Sequence, residues 1–178
     1  MRYKEELIKA MEELGKHPNT IFIGQAVAVP GHAISNTLEK VPLKKRIELP
    51  VFEETQSGIA TGLALEGFIP VSCYPRFDFF ILSLNQIVNH LDKIRVMSKD
   101  AFKPRVIIRV GIGSKIPIDA GPQHTQNHTE ALRKMLTEIE VVELLEPEQI
   151  EPAYAVALYR PDSKSTLFIE HIEYYNSK

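Results

Sequence analysis

Arg105-Val106-Ile107-Ile108-Arg109-Val110, followed by Gly111-Ile112-Gly113-Ser114, is a β-rich run that ends in glycine and opens a long loop. On its N-terminal side, Phe79 to Met97 carries apolar residues at Phe80, Leu84, Ile87, Val88, Leu91 and Ile94. That spacing predicts one long helix with a single buried stripe. On its C-terminal side follow a helix from His128 to Leu136, a strand at Glu140 to Leu144, a helix from Glu148 to Tyr159 and a strand at Thr166 to Glu170. Further upstream, Phe68-Ile69-Pro70-Val71-Ser72-Cys73-Tyr74 reads as a strand. A helix of small residues precedes it and stops at Gly67, a natural C-cap. Arg46 to Leu49 and Thr20-Ile21-Phe22-Ile23-Gly24 read as two more extended runs. Leu7, Ile8, Met11 and Leu14 recur at helical spacing before Gly15.

Regular alternation of β-rich runs with amphipathic helices implies an α/β fold of three layers, α/β/α, with a mostly parallel sheet, because right-handed crossovers put helices on both faces. Ligands of such sheets collect beyond the carboxyl ends of the strands. Four loops leave those ends: Gln25 to Ser35, Pro50 to Gln56, Pro75 to Phe79 and Gly111 to His128.

At 178 residues the chain is the size of one domain, so a single domain over 1–178 is expected. Its apolar content of 44%, charged content of 25% and net charge of -2 are ordinary for a globular protein and supply no field for nucleic acid or anionic membrane. Cys73 is the single cysteine, which rules out an intrachain disulfide and a cysteine-rich zinc site and suits a reducing cytoplasm. No apolar run has the length of a signal-peptide core or a membrane span, so a soluble, unprocessed, cytoplasmic protein is expected.

Candidate chemistry falls in the four loops. Glu53 and Glu54 head the small-residue helix, where peptide dipoles favour negative charge. Gly58, Ala60, Gly62 and Ala64 leave little bulk on one flank, so a backbone or a flat ligand can approach. A carboxylate against such a wall can serve as a general acid or base; a helix that merely begins with acids is the plainer reading. Tyr74-Pro75-Arg76-Phe77-Asp78-Phe79-Phe80 crowds aromatics into a strand-to-helix loop. Phe80 continues the buried stripe, whereas Phe77 and Phe79 suit either the rim of the core or stacking on a heteroaromatic ring. In Gly121-Pro122-Gln123-His124-Thr125-Gln126-Asn127-His128, His124 can move protons or hold an anion. His128 reads as a helix-start residue, and a metal pair with His124 lacks a third ligand at a defined spacing. Gly111-Ile112-Gly113-Ser114-Lys115 lacks the spacing of a phosphate loop, which disfavours a stand-alone nucleotide binder.

The Glu53 segment, the aromatic loop, Asn85-Gln86-Ile87-Val88-Asn89 and Gly121 to Gln126, in that order, make the chain similar to the pyrimidine-binding domain of transketolase-like thiamine-diphosphate enzymes, most of all to the beta subunits of 2-oxo acid dehydrogenases. The resemblance runs from Ile21 to Glu170 and implies the thiamine-diphosphate-binding fold. It also implies roles. Glu53, nine residues before Gly62, falls where the family's glutamate bonds N1′ of the cofactor's aminopyrimidine. A proton shared there favours the imino tautomer, whose nitrogen removes the thiazolium C2 proton to give the nucleophilic ylide. Phe77 and Phe79 fall where the family lines the pyrimidine pocket, Asp78 where many members carry an acid, and His124 where a histidine faces the substrate.

The resemblance also has gaps. Gly24-Gln25-Ala26 stands where the family has glycine followed by acids, and Glu54, Thr55 and Gln56 also differ from its usual residues. Nothing resembles the G-D-G…N segment that holds Mg²⁺ and the diphosphate, and the family's usual C-terminal domain is missing too. The implied arrangement is therefore a heterodimer or heterotetramer with a separate diphosphate-binding chain that holds most of the thiamine diphosphate and Mg²⁺. Such a complex would act on a 2-oxo acid or ketose-like donor. A non-catalytic binding or regulatory module that keeps the fold is the alternative.

Overall fold

The sheet is built from runs apolar on both faces. β1 (Thr20–Gly24) sends Phe22 to one side and Ile23 to the other, and β4 (Ile107–Ile112) divides Ile107 and Ile108 in the same way. Such two-faced strands must be covered above and below. In the computed structural model, which describes residues 2–116 and 118–177, they lie with β2 (Arg46–Glu48), β3 (Ile69–Tyr74), β5 (Glu140–Leu144) and β6 (Thr166–His171) in one sheet of order β2-β1-β3-β4-β6-β5. Every neighbouring pair is parallel.

One face is covered by α1 (Tyr3–Lys16), α2 (Ala33–Asn36), α7 (Pro147–Tyr159) and α8 (Tyr174–Ser177). The other is covered by α3 (Glu53–Leu65), α4 (Phe77–Phe80) and α6 (Thr129–Met135). The three-layer α/β/α expectation therefore holds. Among the described residues no helix is long and apolar enough to cross a membrane. α3 ends as expected at Gly67: at φ +87° its N–H bonds to Ala64 O and that of Phe68 to Leu63 O, a paired closure that suits glycine.

Two expectations need correction. The single helix from Phe79 to Met97 is instead α4, a 3₁₀ turn (Ile81–Ser83), a π-helical segment (Asn85–Leu91) and α5 (Ile94–Met97). Two long-range demands break it. Ser83 Oγ donates to the carbonyl of Glu53, and Asp92, whose N–H reaches back to Ile87 O, is buried and caps the segment after α6. The clearest strand also begins two residues late, at Ile107, because Val106 N–H bonds to Ser165 Oγ rather than to a neighbouring strand.

Candidate active site

All four loops lie at the carboxyl edge of the sheet, and the direction of the chain reverses between β1 and β3, the place where such sheets bind ligands. α3 starts there because Pro50-Val51-Phe52 cannot continue β2 and Glu53-Glu54 suit a helix start. α3 can lie close over the end of β1 because Gly24 has no side chain. A Cβ there would stand 2.3 Å from Cys73 O and 2.8 Å from Gln56 Nε2, and the φ of +139° itself favours glycine.

Glu53 is 4% exposed although it begins a helix. Its Oε1 accepts a 3.0 Å hydrogen bond from Gln25 Nε2, and Oε2 accepts none from the described residues. A carboxylate with one oxygen held and the other open is ready to take a proton or a ligand N–H. Glu54, by contrast, is exposed and accepts from Asn85 Nδ2 at 3.1 Å. The two acids at the head of α3 thus have different surroundings.

The structure separates Phe77 from Phe79. Phe77 is fully buried, edge-on to His128 with ring centres 5.5 Å apart, and belongs to the core beside Phe80. Phe79 is 41% exposed and meets His124 edge-on at 5.4 Å. Between them Asp78 turns inward. Its Oδ1 accepts from the main chain and side chain of Gln126, while Oδ2 is buried without a partner. Nδ1 of His124 and Nε2 of His128 are likewise buried and unpartnered. Buried polar atoms without partners are uncommon and call for an explanation. His128 immediately precedes α6, as its helix-start reading expects. Phe79, Asp78 and His124 therefore form one group. Glu53 is linked to the turn after α4 through Ser83 and makes no hydrogen bond to His124 among the described residues.

Sequence reasoning missed Gln25 as the partner of Glu53, Ser83 as the link between helices and Gln126 as the clamp on Asp78. Gln25 stood out only as a departure from a pattern; no local signal marks the other two. Among the described residues no cluster of three or more histidine, cysteine or acidic side chains could hold a metal.

The family profile described as "Transketolase, pyrimidine binding domain" matches residues 2–177. The chain is 27% identical to the pyruvate dehydrogenase E1 component subunit beta of Cyanidium caldarium, in a match covering 100% of this chain and 54% of that protein. It is 28% identical to the mitochondrial pyruvate dehydrogenase E1 component subunit beta of Saccharomyces cerevisiae over 71% of this chain and 35% of that one. The fold is shared with a structure described as a split gene transketolase, inactive beta4 tetramer (TM-score 0.70, 19% identity), covering 96% of this chain and 51% of that one. It is also shared with transketolase from Campylobacter jejuni (TM-score 0.73, 16% identity), covering 96% and 25%. The chain thus spans about half the length of the first of these curated relatives or less.

Proposed function

The chain belongs to the transketolase pyrimidine-binding-domain family, and from that membership we propose that it is the aminopyrimidine-binding subunit of a split, heteromeric thiamine-diphosphate enzyme. The buried Glu53 carboxylate, held through one oxygen by Gln25, is the observation that carries this reading. The residues suit the pyrimidine half of the cofactor: an open carboxylate oxygen, a half-exposed aromatic ring in Phe79, and unpartnered polar atoms on Asp78 and His124. When bound, thiamine diphosphate supplies the carbon nucleophile that attacks a 2-oxo acid or ketose-like donor.

In this reading Glu53 Oε2 holds a proton against N1′ of the ring. Phe79 would pack on the ring's face, and Phe77, buried against Phe80 and His128, would line the pocket from the core side. The unpartnered Oδ2 of Asp78 would accept a ligand N–H, and His124 would orient the substrate through a hydrogen bond at its unpartnered Nδ1. The diphosphate and Mg²⁺ belong to a partner chain, in a heterodimer or a heterotetramer, and the lone thiol suits a cytoplasmic setting.

The test is hydrogen–deuterium exchange at C2 of thiamine diphosphate in the complex with the co-purified partner. Glu53→Gln should slow exchange about 10²- to 10⁴-fold, the range of a lost general acid or base. Exchange at the native rate would refute the role given to Glu53.

A further inference from the structure

Glu48 ends β2, and its carboxylate accepts three consecutive main-chain N–H groups from the turn that follows β1. Ala26 donates to Oε1 at 2.6 Å, while Val27 and Ala28 donate to Oε2 at 2.9 and 2.7 Å. Successive N–H groups that converge on one point make an anion-binding concavity, and here the chain fills it with its own side chain. The turn depends on that anion. Ala26 sits at φ +56°, a left-handed conformation that a residue with a Cβ keeps only where its surroundings hold it.

Gln25 lies directly before this bonded turn and directly after Gly24, which is itself fixed by Leu49 N–H on its carbonyl at 2.9 Å and by the wall of Cys73 and Gln56. Held at both ends, Gln25 reaches Glu53 with its side-chain amide at 3.0 Å. An amide donates to a carboxylate but has no proton to lose at neutral pH. It therefore fixes which oxygen of Glu53 is occupied and which is open, without entering the proton chemistry.

We propose that Glu48 and Gln25 are positioning residues for Glu53: Glu48 sets the turn, the turn sets Gln25, and Gln25 orients the carboxylate. This rests on the role given to Glu53 above. It also assigns a function to the departure at Gln25-Ala26. An amide in place of an acid leaves this position able to orient a carboxylate but with no proton to exchange.

¹⁵N and ¹³C NMR of the chain itself tests the relay without cofactor or partner. In Glu48→Gln the amides of Ala26, Val27 and Ala28 should exchange with solvent about tenfold faster or more, as expected for loss of charge-assisted hydrogen bonds. The side-chain amide signals of Gln25 should move to where Glu53→Ala puts them. If those Gln25 signals stay in place, or the three amides keep their protection, the relay is wrong. Should Glu48→Gln not fold, Gln25→Ala cuts only the last link. The ¹³C carboxyl signal of Glu53, measured at one pH, should then shift and broaden; an unmoved signal overturns the proposal. Either result can be read whether or not Glu53 serves thiamine diphosphate, which the C2 exchange experiment decides separately.

Discussion

Asp78 Oδ1 accepts both the main-chain N–H of Gln126, at 3.3 Å, and its side-chain amide, at 2.9 Å, tying the turn after β3 to the loop after β4. The same segments meet again one and two residues away, where Phe79 packs edge-on to His124. A carbonyl oxygen can replace Oδ1 in both bonds. Asp78→Asn should therefore keep the fold within about 0.5 kcal/mol of the parent, whereas Asp78→Ala, which strands both donors, should cost about 1–3 kcal/mol. Urea midpoints separate the two. If Oδ2 serves a ligand, Asn should weaken thiamine diphosphate binding by the complex while leaving those midpoints alone.

The three layers were legible because strands buried on both faces read as short apolar runs, and little else does in a chain of this composition. The order of motifs singled out Glu53. The broken helix was not legible: Phe80, Ile87 and Leu91 are buried, as one continuous helical stripe would have them, and the break is imposed by Glu53 O and the segment after α6, both distant in sequence. Phe77 and Phe79 could not be told apart for a related reason. They stand two residues apart on a turn of four, so one faces in and the other out, and only the position of the turn decides which. Nothing in the sequence around Glu48 marks it, since a carboxylate that caps another loop leaves no trace in its own neighbourhood.

Arg109 and Glu170 form a fully buried pair, with Nε to Oε1 at 2.7 Å and Nη2 to Oε2 at 2.9 Å. Tyr154 donates to Oε1 at 2.5 Å, Tyr175 donates to Oε2, and Arg109 Nη2 donates to Thr37 Oγ1 at 3.0 Å. Removing one partner strands a charge in the core. Arg109→Met and Glu170→Met should each cost about 3–5 kcal/mol, and the double substitution less than their sum. Chemical denaturation of the three variants checks this. Additive losses would mean that the two charges do not depend on each other.

Cys73 is fully buried, and burial pushes its thiol up to about 11 even though the Arg109 guanidinium opposes the shift. At pH 8 only about one molecule in a thousand then carries the reactive thiolate, against roughly a quarter for a free thiol. An aromatic disulfide reagent should therefore label the native chain at least a hundredfold more slowly than the chain in urea, with a rate that tracks unfolding. Rapid labelling of the folded protein would contradict the burial.

Asp92 is fully buried between the π-helical segment and α6, and its carboxylate accepts the N–H groups of Thr137, Glu138 and Ile139 at 2.9–3.1 Å. Burial by itself would raise its pKa, but Lys93 Nζ at 2.6 Å and those N–H groups outweigh it and hold the carboxyl below the usual range. A carboxyl lowered in the folded state contributes stability that is present above its unfolded pKa of about 3.9 and is lost as pH falls through the lower folded value. Asp92→Asn sets an NH₂ against Lys93 and Thr137 Oγ1, so at pH 7 it should cost about 1–3 kcal/mol. Below pH 4 the gap to the parent should narrow, because Asp92 takes up a proton in the unfolded parent while the folded carboxyl, held lower, still keeps its charge. Urea midpoints of both proteins at pH 7 and pH 3 measure that gap, and an unchanged difference would show that Asp92 works there through shape rather than charge.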